Sequence, residues 1–216
     1  MAFGVEPDVG AGLVIDHRLR VTKDRLVEPV VAHLPAAVSP LALTVLSAVC
    51  GVSAGVTAAA GWVWVSVGLW LASRWVDGLD GALARRTGVQ SDLGGYLDLM
   101  ADTLGYAAVP IGIAAASGGR GAWAACAVLL ASFYLNTTSW TLLAAIAEKR
   151  GAGAATTGER TTVHMPVGLI EGAETIVLYT AMLLLPSHAV VLFSLMAALV
   201  GGTIAQRLVW AARTLR

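Results

Sequence analysis

Four aspartates, Asp77, Asp80, Asp98 and Asp102, are the residues whose type and spacing promise chemistry, because they fall in or beside stretches that are otherwise apolar. An ionised side chain in a membrane helix is expensive, so its presence points to a partner or a task. At about 100° per residue, Asp77, Asp80, Gly81, Ala84 and Arg85 share one broad helix face, and Gly94, Asp98 and Asp102 drift by only about 40° per step along another. On sequential antiparallel helices, the two carboxylate faces would converge near one end. Four like charges brought together repel and would protonate unless a cation neutralised them. Oxygen ligands without nearby His or Cys suit hard ions such as Mg²⁺ or Mn²⁺. Gly81 and Ala84 leave their face nearly bare, which makes room for a bulky ligand, and Arg85 offers a fork of donors matched to phosphate. A nucleotide diphosphate is the kind of ligand such a surface would take. The plainer reading of one Asp at a helix end, a cap or a solvated charge, loses weight when four stand in register.

The elements that must position these groups are apolar. Of 216 residues, 57% are hydrophobic and 13% charged, far from the balance of a soluble domain. Residues 29–73, 121–147 and 175–206 carry no formal charge at all, and a bilayer-spanning helix needs only about 20 such positions. The pattern predicts an all-α polytopic membrane protein with six spans at about 40–59, 62–86, 92–116, 121–147, 166–185 and 188–211, broken by Gly, Pro and Ser. Residues 1–35 read as a cytoplasmic juxtamembrane arm or amphipathic helix, and 36–216 as the six-helix membrane domain. The arm holds Arg18, Arg20, Lys23 and Arg25 ahead of the first apolar run, so it does not read as a cleavable signal peptide. Zero net charge and a pI near 6.9 argue against a nucleic-acid partner, since no basic surplus exists to neutralise phosphates. Cys50 and Cys126 read as small buried hydrophobes.

Orientation follows from the basic residues. Of the 14 Lys and Arg, all but Arg74 and Arg120 fall on one side of an even-span topology, which should therefore face the cytoplasm together with both termini. The expected location is the cell membrane, multi-pass, with the acidic cluster at its cytoplasmic face. The 148–165 stretch reads as a cytoplasmic loop, either a plain connector or a cover for substrate.

The order D77-G-L-D80-G81-A-L-A84-R85, then eight residues, then G94-G-Y-L-D98-L-M-A-D102 resembles the signature of the CDP-alcohol phosphotransferase (CDP-alcohol phosphatidyltransferase) family without a departure. Eight fixed positions in that spacing make the match specific. Beyond it, the Ser39-Pro40-x3-Thr44 start of the first helix is only loosely similar to the family's Pro-Asn-x-x-Thr; the Asn is missing, and no role is carried onto it. The resemblance implies that Asp77, Asp80, Asp98 and Asp102 hold two divalent ions bridged by the diphosphate of CDP-diacylglycerol or another CDP-alcohol donor. It also implies that Asp102 is the general base and that Asp80, Gly81, Ala84, Arg85 and Gly94 belong to the CDP site, with Gly94 permitting close helix contact beside it. A homodimer is expected on the same ground. Two ions about 3.5 to 4 Å apart would polarise phosphoryl oxygens and favour in-line attack by a small alcohol acceptor whose proton a carboxylate takes.

Outside the motif, Glu171 and Glu174 stand one helical turn apart in the fifth predicted span, where carboxylates normally face a bundle interior. They are candidates either for acceptor hydroxyls or for structural pairing with Arg74. Arg160, His164 and Arg207 are candidates for a phosphorylated acceptor such as an inositol or glycerol phosphate, and the positive-inside bias explains them equally well. Gly51 and Gly55 predict close helix packing, and Trp62, Trp64 and Trp123 interfacial anchoring. The competing class is a cation- or proton-coupled transporter, in which the same carboxylates would line an ion path. Transporters spread ionisable groups across the midplane, whereas these gather at one face beside Arg85.

Overall fold

The computed structural model describes residues 27–35, 37–150 and 172–215. Among them there is no strand. Helices α1 (Pro40–Ala59), α2 (Val63–Thr87), α3 (Asp92–Ser117), α4 (Arg120–Lys149), α5 (Gly172–Leu184) and α6 (Ala189–Thr214) follow one another, with a 3₁₀ turn at Pro186–His188 before the last. Residues 27–32 form a further helical stretch ahead of α1.

Local chemistry sets the boundaries. Ser39 caps α1 by accepting from the Ala42 N–H at 3.2 Å, with Pro40 just inside, where its missing N–H would be unsatisfied anyway. Ser91 caps α3 through the Gly94 N–H at 3.1 Å. Gly88 and Gly118 end α2 and α3 in the left-handed region at φ 67° and 62°, a conformation that glycine adopts without a Cβ clash. The acidic helices α2 and α3 are thus joined by only a few residues and run antiparallel.

The chain is an all-α polytopic membrane protein. Pro40–Ala59, Asp92–Ser117, Arg120–Lys149 and Pro186–Thr214 are long and apolar enough to cross a membrane. Helix α2 is long enough but is not among these four, because Arg74, Asp77, Asp80, Arg85 and Arg86 interrupt it. Outward-facing apolar side chains such as Val56, Val128, Leu135, Leu142 and Val191 make a surface suited to acyl chains rather than water.

Helix α1 packs against both α2 and α3, and α4 against α6. The α1–α3 crossing is backbone to backbone. A Cβ added at Gly112 would collide with the Gly55 carbonyl, one at Gly55 with Ala108, and one at Gly51 would stand 3.1 Å from the Gly105 Cα. The predicted Gly51/Gly55 surface therefore serves contact within the chain. The main core joins Trp70, Val109, Ile113, Leu129, Tyr179, Met182, Phe193 and Met196 from five helices. A smaller cluster packs Val27 and Val31 onto Leu43, Leu79 and Leu83, so the helical stretch at 27–32 lies against α1 and α2 near the acidic end of α2.

One proline shapes the interior. Pro110 sits inside α3 and has no N–H for the carbonyl of Tyr106, one turn earlier. The Tyr179 hydroxyl of α5 donates to that carbonyl at 2.8 Å, which ties α5 to α3.

Candidate active site

Asp77 and Asp80 lie about one turn apart on α2, and Asp98 and Asp102 one turn apart on α3. The Arg74–Asp102 contact links the two helices, one turn from Asp77 on α2 and one turn from Asp98 on α3. Asp80 is 5% exposed, and its Oδ2 accepts a 2.6 Å hydrogen bond from Thr44 Oγ1 of α1. Asp98 is half-buried, with Oδ1 shielded from solvent. Asp102 accepts at Oδ1 from Arg74 Nη1 at 2.5 Å, and its side chain remains 32% exposed.

The four carboxylates therefore stand on linked turns of α2 and α3 and are not a preassembled chelate. Among the described residues, no three His, Cys, Asp or Glu side chains stand as a ready ligand group. Asp102 is engaged by Arg74 and Asp80 by Thr44. The donor chemistry still fits a hard divalent ion, since all four ligands are carboxylates and none is sulfur or imidazole.

Arg85 lies over the bare surface beside them. A Cβ on Gly81 would sit 3.3 Å from Arg85 Nη1, so the guanidinium occupies the space that glycine leaves. Gly81 and Ala84 are half-buried and Arg85 is exposed, at the polar end of α2. Gly94 corrects an expectation. Among the described residues, and apart from its own helix backbone and chain neighbours, the atom within 4 Å of its added Cβ is Ser91 Oγ, at 3.2 Å, which belongs to the cap of its own helix rather than to a neighbouring helix.

The acceptor candidates divide. Arg160, His164 and Glu171 lie outside the described residues. Glu174 is exposed in the first described turn of α5, not turned into the bundle as expected. Arg74, which the sequence offered as a partner for Glu171 or Glu174, pairs with Asp102 across α2 and α3. Arg207 is 8% exposed and donates through Nη1 to Asn136 Oδ1 at 2.6 Å, linking α6 to α4.

Thr44, Arg74 and Asn136 are the contributors that the sequence alone did not single out for these contacts. Thr44 and Asn136 are polar residues in long uncharged runs, which is the one hint the sequence holds.

Helical, lipid-facing and acid-rich at one end, the molecule has the make-up of a polytopic membrane transferase. The chain belongs to the CDP-alcohol phosphatidyltransferase family, whose sequence model matches residues 37–212, and it is accordingly a transferase of substituted phosphate groups. Membership of that family sets the transporter reading aside. The chain is 36% identical over 150 residues to the inner membrane protein YnjF of Escherichia coli (strain K12), covering 69% of this chain and 71% of that protein. Its fold is similar to the crystal structure of Mycobacterium tuberculosis phosphatidylinositol phosphate synthase (PgsA1) with CDP-DAG bound, with a TM-score of 0.66 and 20% identity over 85% of this chain and 92% of that one. The same protein in complex with manganese and citrate gives a TM-score of 0.64, with 20% identity over 87% and 88% of the two chains. At that identity the likeness concerns the fold.

Proposed function

We propose that this chain transfers a phosphatidyl group from CDP-diacylglycerol to a small alcohol, releasing CMP, as a step in phospholipid synthesis. The observation that carries the reading is the Arg74–Asp102 contact, which ties the α2 turn bearing Asp77 and Asp80 to the α3 turn bearing Asp98 and Asp102, with Arg85 laid across Gly81 on α2. Further support comes from the fold shared with a synthase crystallised with CDP-DAG and, separately, with manganese.

In this reading Asp77, Asp80, Asp98 and Asp102 hold Mg²⁺ or Mn²⁺, which when bound would neutralise the diphosphate of the donor. Arg85 binds a diphosphate oxygen through its fork of donors. Gly81 gives Arg85 room to lie across α2, Ala84 keeps the surface beside it low for the nucleotide, and Gly94 holds the start of α3 in place through Ser91. Asp102 takes the proton of the acceptor hydroxyl as its oxygen attacks the phosphatidyl phosphorus; the bond from that phosphorus to the bridging oxygen breaks, and CMP leaves with the electron pair. With Oδ1 engaged by Arg74, the proton goes to the other carboxylate oxygen. Thr44 keeps Asp80 from rotating away. Most of the rate gain is positional and electrostatic, because the reacting groups are held ready.

We further propose six spans, with both termini and the aspartate cluster at the cytoplasmic side, on the strength of the basic-residue bias. Arg207, steadied by Asn136, is the described residue best suited to a phosphorylated acceptor, with Arg160, His164, Glu171 and Glu174 as further candidates. Purified protein would be incubated with CDP-diacylglycerol, Mg²⁺ or Mn²⁺, and a panel including glycerol phosphate, inositol phosphate and serine, with CMP and lipid product read by mass spectrometry. Acceptor-dependent CMP is expected with at least one of them; none with any member counts against the reading.

A further inference from the structure

We infer that Arg74 is a positioning residue, clamped in the helix bundle so that it fixes the carboxylate of Asp102 from the interior side. The inference rests on the reading of Asp102 as the group that accepts the acceptor's proton.

Arg74 is 7% exposed, lies one turn before Asp77 on α2, and falls outside the aspartate pattern. Its guanidinium is held at both Nη atoms and by two aromatic rings. Nη1 donates to Asp102 Oδ1 at 2.5 Å and Nη2 to Ser73 Oγ at 3.0 Å. The carbon of the guanidinium stands 5.0 Å from the Trp70 ring centroid and 4.9 Å from that of Tyr106, both within cation–π range. Those rings are themselves fixed: Tyr179 stacks on Trp70 at 4.9 Å and meets Tyr106 edge-on at 5.3 Å. Ser73 is fixed in turn, since its Oγ donates to the Ser47 carbonyl at 2.9 Å while Ser47 Oγ donates back to the Ser73 carbonyl at 3.1 Å. A rigid chain of contacts therefore runs from α1 through α2 to Asp102 on α3.

A buried ion pair is weak evidence for stability, because desolvation offsets much of the attraction and apolar side chains of similar volume would pack as well. What an apolar residue would not supply is orientation. Asp102 is 32% exposed, open enough to meet a substrate, and its carboxylate is engaged from the interior side by a buried guanidinium. A displacement of about 1 Å at such a group lowers turnover by about 100-fold.

The test compares wild type, Arg74→Met and Arg74→Lys for CMP release, with kcat and donor KM resolved, alongside thermal unfolding of Arg74→Met, Asp102→Asn and the double variant. For Arg74→Met, kcat is expected to fall about 100-fold with donor KM within about threefold, and Arg74→Lys is expected to recover part of the loss because it restores the charge without the fork. In the unfolding series the double variant should lose less than the two singles combined, since Asp102→Asn strands the buried Arg74 charge and Arg74→Met removes the partner of Asp102. A kcat within threefold of wild type for Arg74→Met, a loss confined to KM, or strictly additive unfolding losses would each overturn the inference. A wild type that releases no CMP sinks the proposed function and this inference together; an active wild type matched by Arg74→Met sinks this inference alone.

Discussion

Thr44 and Asp80 are 36 positions apart in sequence, yet the hydroxyl of one donates to the carboxylate of the other at 2.6 Å in a buried setting. The contact anchors the most buried aspartate of the cluster to α1. Thr44→Val keeps the shape and removes the donor, at a stability cost of about 1 to 3 kcal/mol for the lost hydrogen bond to a charged group. CMP release should fall about tenfold or more in Thr44→Val and stay near wild type in Thr44→Ser. Equal rates in all three proteins would show that Asp80 needs no such anchor.

Tyr179 is expected to matter through one hydrogen bond. Its hydroxyl serves the Tyr106 carbonyl that Pro110 leaves without an amide partner. Tyr179→Phe should lower stability by about 1 to 3 kcal/mol in detergent unfolding. Pro110→Ala, which supplies an amide for that carbonyl, should restore part of it in the double variant. Simple addition of the two losses would refute the account.

The α1–α3 crossing makes a prediction about volume. Gly112→Ala places a methyl against the Gly55 carbonyl and should destabilise by about 1 to 3 kcal/mol, with lower yield of folded protein. Gly68→Ala, where nothing lies within 4 Å of the added carbon, should be neutral or slightly stabilising. Matching unfolding temperatures for the two variants would contradict the crossing.

Arg207 separates acceptor from donor. If it receives a phosphorylated acceptor, Arg207→Gln should raise the acceptor KM by about tenfold or more, the loss of a charged hydrogen bond, and leave the donor KM within about twofold. A fall in thermal stability with both KM values unchanged would mark the Asn136 contact as purely structural.

Much of this architecture is legible in the residue order, for reasons that are local. The helices between Pro40 and Ser117 start and stop within a residue of expectation, because Ser39, Ser91, Gly88 and Gly118 are short-range signals. That Asp77 and Asp80 share one turn of α2, and Asp98 and Asp102 one turn of α3, is also readable, since it needs only helical spacing. The bond from Thr44 to Asp80 is not, because its register depends on how α1 crosses α2. The partner of Arg74 escapes for a related reason: carboxylates on α3 and on α5 are equal candidates until the packing of three helices is known. Gly94 and Glu174 show the converse limit, in that a small or acidic residue in a suitable position does not say which neighbour it meets. The Arg160, His164 and Glu171 candidates lie outside the described residues.

The central claim is that the aspartates of α2 and α3 jointly hold the ions on which transfer depends. It is tested most directly by CMP release from CDP-diacylglycerol at saturating Mn²⁺, comparing wild type, wild type with excess chelator, and Asp98→Asn. The account predicts turnover in the first, abolished by chelator and lowered by about 100-fold or more in the variant. Turnover that survives the chelator, or persists undiminished in Asp98→Asn, would contradict it.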